Sequence, residues 1–128
     1  NGIAAEYVEA LQIKTPSNKQ LVRNLSGGNQ QKIVIAKWLA RNLDILMFDE
    51  PTRGVDIKAK NEIYRLMMEQ KRQGKAIMVA SPEIPELMSV CDRILIVVQG
   101  RILGCVHRYD ADFNENAIME MINSEPVQ

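Results

Sequence analysis

Two stretches of this chain carry residue types that could do chemistry. In the first, the apolar run Ile45-Leu46-Met47-Phe48 ends in Asp49-Glu50. If the run is a strand of an open α/β sheet, its carboxyl end is where ligands sit. Two adjacent carboxylates there can divide the labour: one holds a hydrated Mg²⁺ and the other takes a proton from an attacking water. The competing reading is a strand followed by a solvated acidic turn. The second stretch is Leu25-Ser26-Gly27-Gly28-Asn29-Gln30-Gln31 at the mouth of a helix. Glycines let a backbone come close to a ligand, a helix N-terminus offers unpaired N–H groups and a partial positive charge, and Ser26 adds a hydroxyl. Together they make a phosphate-binding corner without a lysine. The competing reading is a serine N-cap followed by a glycine turn.

The elements that must position these residues follow from periodicity. Ile3, Tyr7, Val8 and Leu11 predict a short amphipathic helix, broken by Thr15-Pro16-Ser17-Asn18. Residues 25–32 lead into a helix at Ile33–Arg41 that is apolar on most faces, as in a buried helix. Ile45–Phe48 reads as a strand covered on both faces, and Asp49–Asp56 as a loop broken by Pro51 and Gly54. Ile63, Leu66 and Met67 mark the next helix, which ends before Gly74, and Ala76–Ala80 is a further buried strand. Pro82 falls in a loop and Pro85 in a first helical turn, followed by Ile84, Leu87, Met88 and Cys91 at helical spacing. Ile94–Val98 and Ile102–Val106, joined by Gln99-Gly100, predict a hairpin. A last helix covers Glu115–Ile122, with Ser124–Gln128 expected to fray. The order is that of an α/β fold, with about three strands available for a parallel sheet.

Composition sets bounds. The 128 residues hold 16 Lys+Arg and 16 Asp+Glu, 46% hydrophobic and 25% charged, which is a globular makeup. Zero net charge argues against a nucleic-acid binder. No apolar run nears the roughly 18–20 residues of a membrane-spanning helix. Cys91 and Cys105 lack disulfide-scaffold or metal-ligand spacing and fit a reducing compartment, with buried inert thiols the expectation. The start, Asn1-Gly2-Ile3, carries neither Met nor a signal-peptide pattern, which suggests a piece of a longer chain.

Leu25–Lys32, then Ile45–Thr52, then Gly54-Val55-Asp56 form an ordered set. The set resembles the ATP-binding cassette (ABC) ATPases, in particular the second nucleotide-binding domain of tandem sugar-import ATPases, over about Tyr7 to Ile122. LSGGNQQK resembles the family signature, ILMFDE its Walker B strand and Gly54-Val55-Asp56 its D-loop. The resemblance implies an α/β fold that is the C-terminal portion of a P-loop NTPase domain. It would have a mostly parallel sheet, flanking helices, and a C-terminal hairpin and helix. Residues 1–43 would be helical subdomain and 44–128 the Walker B half of the core. Asp49 would help hold Mg²⁺ through water, and Glu50 would be the general base. Ser26, Gly27, Gly28 and Gln30 would face the γ-phosphate side of an ATP bound mainly by the opposite domain, and Asp56 would couple the two sites. The implied partners are a companion nucleotide-binding domain, membrane permease subunits and, indirectly, a sugar-binding protein, with the chain peripheral on the cytoplasmic face.

Two departures qualify the resemblance. No G-x-x-x-x-G-K-[ST] loop occurs in the 128 residues, so the nucleotide-gripping region is expected before Asn1. The chain alone is then expected to bind ATP weakly, not to turn it over, and to self-associate through exposed sheet edge. Pro82 stands where family members place a switch histidine, counting back from Cys91-Asp92-Arg93. Proline cannot bond a γ-phosphate, so turnover by Glu50 stays open, with slow hydrolysis as one outcome. A soluble ABC ATPase of another process and a non-catalytic regulatory module are the alternatives. Outside the motifs, His107 reads as a surface residue and Trp38 as core. Met67, Met68, Met88, Met119 and Met121 read as packing residues, and Arg53 as a solvated loop charge.

Overall fold

The computed structural model describes residues 2–124; past Ser124, the expected frayed end lies outside the described residues. The chain divides into two compact units, one up to Ala80 and one from Ser81.

The first unit contains α1 (Gly2–Ala10), a 3₁₀ turn (Val22–Asn24), α2 (Gly27–Leu39), β1 (Ile45–Asp49), α3 (Ile57–Arg72) and β2 (Ala76–Ala80). β1 and β2 pair in parallel, from Ile45 opposite Ala76 to Asp49 opposite Ala80. A parallel pair needs a crossover, and α3 supplies it. That helix starts where the Asp56 carboxylate accepts the Ala59 N–H at 2.9 Å. It stops at Gly74, whose φ of +87° is a conformation that suits glycine and ends helices. Lys71 and Arg72 in its last turn favour the negative end of the helix dipole. Leu11, Ile13 and Ala36 form a buried cluster against Tyr7, Val8, Leu25, Ile33 and Leu66. Ile35, Leu39, Leu46, Ile63 and Met67 are buried as well; each such side chain contributes roughly 1.5–3 kcal/mol relative to exposure.

Several expectations are corrected in this unit. The strands are not covered on both faces: Leu46 is buried, but Ile45 is 65% and Met47 72% exposed, and Met78 on β2 is exposed too. Successive strand residues point to opposite faces, so this alternation means that one face of the sheet is covered and the other open. α2 begins at Gly27, six residues before Ile33, and Val34 and Trp38 lie on an open face of it. Trp38 is therefore not core. It is 46% exposed, with the Arg41 guanidinium 5.5 Å from its ring centroid, a cation–π contact. Ile3 is exposed, while Tyr7, Val8 and Leu11 pack as anticipated.

The second unit contains α4 (Ile84–Val90), β3 (Arg93–Val98), β4 (Arg101–His107) and α5 (Glu115–Asn123). β3 and β4 form the predicted antiparallel hairpin. Gln99 (φ +48°) and Gly100 (φ +77°) are both left-handed, the turn that matches strand twist. Leu103 is extra in the ladder, a bulge between the Ile96–Gly104 and Val97–Ile102 pairs. Of the three strands available for a parallel sheet, β1 and β2 pair so and β3 pairs with β4. Ile94, Ile96, Val106 and Ile118 are the core. α5 starts at Asn114, whose Oδ1 accepts the Ala117 N–H at 2.9 Å. Arg108 closes the end of α4, donating to the Cys91 carbonyl from Nε (3.0 Å) and Nη2 (2.6 Å), and to the Met88 carbonyl (3.0 Å). Its guanidinium also lies 5.5 Å from the Phe113 ring centroid. Pro85 sits in the first turn of α4, as expected. Met119 and Cys105 are exposed rather than buried, on outer faces of short elements with a small core, and Cys91 packs against that core half-buried at the end of α4. His107 is exposed, as expected.

Candidate functional site

Both chemistry-bearing stretches fall in the first unit. At the start of α2, Ser26 occupies the N-cap position with extended backbone, but its side chain makes no bond to the helix N–H groups. Its Oγ instead accepts from Asn29 Nδ2 at 2.9 Å, and Asn29 Oδ1 accepts the Lys14 N–H at 3.1 Å. The first-turn N–H groups thus lack the serine cap that would satisfy them, and the positive end of the helix dipole is left for something else. Neither Gly27 nor Gly28 is in the left-handed region. A Cβ would meet nothing within 4 Å at Gly27, and only Val55 at 3.8 Å at Gly28. The fold itself does not require glycine at either position. The Gln30 side chain is turned back, donating from Nε2 to the Leu25 carbonyl at 2.8 Å.

β1 delivers Asp49, exposed, to its carboxyl end. Glu50 follows, half-buried, with its N–H donating to the Ala80 carbonyl at 2.8 Å and with φ at +43°. That left-handed conformation is costly for glutamate, on the order of 1–3 kcal/mol. The Arg53 guanidinium stands 3.2 Å from the Glu50 carboxylate while its side chain stays 80% exposed, the solvated loop charge expected of it. At the end of the loop, the Ala59 N–H holds the Asp56 carboxyl below its ordinary value. The Lys58 N–H and the charge of Lys32 add to this, and a lesser desolvation effect opposes it.

The two stretches are joined. Gln31 Nε2 donates to the Pro51 carbonyl at 3.1 Å, and Gly28 faces Val55. Ser26, Gly27 and Gly28 therefore share one neighbourhood with the loop that carries Glu50 and Asp56. Three residues to which sequence reasoning gave no individual role make the framework: Gln31, Lys32 and Glu62. Lys32 and Glu62 form a buried ion pair between α2 and α3. A signal existed for Lys32, a charge at the head of the stripe Ile35, Ala36 and Leu39, where helical spacing predicts apolar residues. Pro82 belongs to the second unit, exposed in the loop before α4.

A Mg²⁺ ion needs one or two carboxylates together with waters and phosphate oxygens. The described residues contain no group of three or more His, Cys, Asp or Glu able to hold a metal. The exposed Asp49 carboxylate at a strand end thus fits an ion that arrives with a phosphate ligand and does not fit a free-standing metal centre.

Residues 2–53 match the family model described as ABC transporter. The chain is 47% identical over 115 residues to the ribose import ATP-binding protein of Clostridium perfringens, covering 90% of this chain and 23% of that protein. It is 54% identical over 100 residues to the galactose/methyl galactoside import ATP-binding protein of the same species, covering 78% of this chain and 19% of that protein. Among solved structures, a dimeric ATP-binding cassette in a post-hydrolysis state, bound to ADP and Pi, superposes with a TM-score of 0.76 at 25% identity. The match covers 85% of this chain and 47% of that one. Over most of its length the chain is similar to the ATP-binding domains of ABC transporters, and it spans about a fifth to a quarter of the length of these two relatives. No helix among the described residues is long and apolar enough to cross a membrane.

Proposed function

We propose that this chain is the signature and Walker B portion of an ATPase that drives carbohydrate import through a membrane permease. The observation that carries the nucleotide reading is the helix start at Ser26, Gly27 and Gly28, which no side chain of Ser26 caps and which is bound through Gln31 to the loop after Asp49-Glu50. The carbohydrate reading rests on relatives named for ribose and galactose import. In this reading residues 1–43 are the helical portion and 44–128 the Walker B half of the core. The amides of Gly27 and Gly28, with the Ser26 hydroxyl, receive the γ-phosphate of an ATP held chiefly by the phosphate loop of a companion domain. Gln30 holds the turn before them through the Leu25 carbonyl. Asp49 would help hold Mg²⁺ through water, and the ion would supply neutralisation of the phosphate charge. Glu50, aimed by its left-handed backbone, takes the proton of the attacking water once Arg53 lets go of it. Asp56 lies on the face toward the companion domain. The polypeptide works on the cytoplasmic face of the membrane, with the permease and a sugar-binding protein as its further partners.

Replacing Glu50 with Gln in the complete polypeptide tests the reading. Loss of a general base lowers turnover by about 10²–10⁴-fold while Mg-ATP still binds. An unchanged rate removes Glu50 from the chemistry and favours the non-catalytic module, the reading to which Pro82 lends support.

A further inference from the structure

Among the described residues, four polar or charged side chains are buried: Lys32, Thr52, Glu62 and Gln70. Gln70, near the end of α3, accepts from Lys75 Nζ at 2.6 Å. The other three belong to a triangle of polar links. Lys32 on α2 pairs with Glu62 on α3. Tyr64 on α3 lies 3.1 Å, hydroxyl to hydroxyl, from Thr52 in the loop after β1. Gln31, beside Lys32, donates to the carbonyl of Pro51, beside Thr52. The signature helix, the acidic loop and the helix that begins at Asp56 are thus fastened to one another pairwise, and no buried side-chain N or O atom among the described residues lacks a partner.

A buried ion pair is a poor source of stability. Removing two charges from water costs about what their attraction returns, and an apolar pair of the same volume is often as stable or more so. What the ion pair does supply is direction. Lys32 is 6% and Glu62 7% exposed, so a small slide of α2 along α3 would pull apart a pair of desolvated charges. An apolar pair can slide at little cost. The Lys32 charge also reaches Asp56, where it helps keep the carboxylate ionised.

We propose that Lys32 and Glu62 are positioning residues of the nucleotide site: their buried pair fixes α2 against α3, and so sets the glycine amides of the signature at one spacing from the loop holding Glu50 and Asp56. Neither residue touches the nucleotide. The proposal rests on the ATPase reading above.

The test is the double variant Lys32→Met with Glu62→Leu in the complete polypeptide, which keeps apolar volume between the helices. Three quantities are measured: the thermal midpoint, the Kd for Mg-ATP by calorimetry, and kcat and KM for ATP. The expected result is a midpoint within about 3 °C of wild type, with KM and Kd raised about tenfold or more by misplacement of the glycine amides. The single variant Lys32→Met, which strands the Glu62 charge, loses both midpoint and affinity. A double variant with wild-type midpoint, Kd and KM overturns the proposal, because the pair is then only packing. If the double variant does not fold, Glu62→Gln, which keeps shape and removes the ion pair, takes its place. It is read the same way, a raised KM supporting the positioning role and a wild-type KM ending it. A wild-type polypeptide that neither binds nor hydrolyses Mg-ATP overturns the ATPase reading and the positioning role with it. Wild-type activity with unaffected variants sinks the positioning role alone.

Discussion

Gly28→Ala is the substitution in which stability and function should diverge. Gly28 is the second residue of α2, its φ is not left-handed, and a new methyl would meet only the Val55 side chain, at 3.8 Å or more, ordinary van der Waals contact. Glycine in a helix costs roughly 0.5–1 kcal/mol relative to alanine, because the unfolded chain has more freedom to lose. With no clash to set against that gain, the variant should be more stable by about 0.5–1 kcal/mol, a rise in melting midpoint of roughly 2–5 °C for a domain of this size. The same methyl would stand between the helix amides and a phosphate, and KM for Mg-ATP should rise about tenfold or more. The assay pairs urea or thermal melts with steady-state ATPase on the complete polypeptide. A stabilised variant with unchanged KM would show that Gly28 does not face the nucleotide. A destabilised variant would show that the helix does not begin where Ser26 and Gly27 place it.

Two further predictions concern the frame. Arg108→Met removes the donor to the Met88 and Cys91 carbonyls and its stacking on Phe113. The expected loss is about 1.5–3 kcal/mol, with faster amide exchange at the end of α4, and an unchanged urea midpoint would refute it. The Asp56 carboxyl has a folded pKa below its ordinary value of 3.8. Its contribution to stability is fully present above that ordinary value and is lost as pH falls through the lower folded one. Against Asp56→Asn, which still caps a helix, the wild-type advantage should be constant above about pH 5 and fade in more acidic solution; a difference that does not vary with pH refutes the charge's role.

What the sequence disclosed and what it hid follow from the range of each interaction. The hairpin was legible at Gln99-Gly100 because a two-residue turn is decided locally. α3 was legible because its apolar stripe and its Gly74 stop agree with one another, while the Asp56 cap that starts it shows only in the fold. The faces of β1 were not: a run such as Ile45–Phe48 looks the same whether neighbours cover one side or both, and only the fold shows Met47 open beside buried Leu46. The start of α2 lies six residues ahead of where apolar periodicity puts it, since two glycines and an asparagine carry little helix propensity and packing overrides it. The Lys32–Glu62 pair joins positions 30 residues apart, beyond anything spacing can show.

The site is also marked by features that owe nothing to resemblance. A folded chain tends to let local preferences agree, and disagreements gather where something other than stability is being served. Ser26 holds the cap position but leaves the helix amides unbonded. Gly27 and Gly28 sit in a helix where alanine would fit. Glu50 adopts a left-handed backbone that disfavours it, with its carboxylate held by Arg53 rather than by the core. Two charges are buried at Lys32 and Glu62 where two apolar side chains would pack. Each of these costs the fold, and all of them lie on α2, the loop after β1, or α3, which packs against α2. Left-handed backbone alone does not mark a site, since Gln12, Asn42 and Gln99 adopt it elsewhere; what sets this region apart is that the open helix start, the strained Glu50 and the buried charges occur together, as a site that brings helix amides and a carboxylate to one bound phosphate would need.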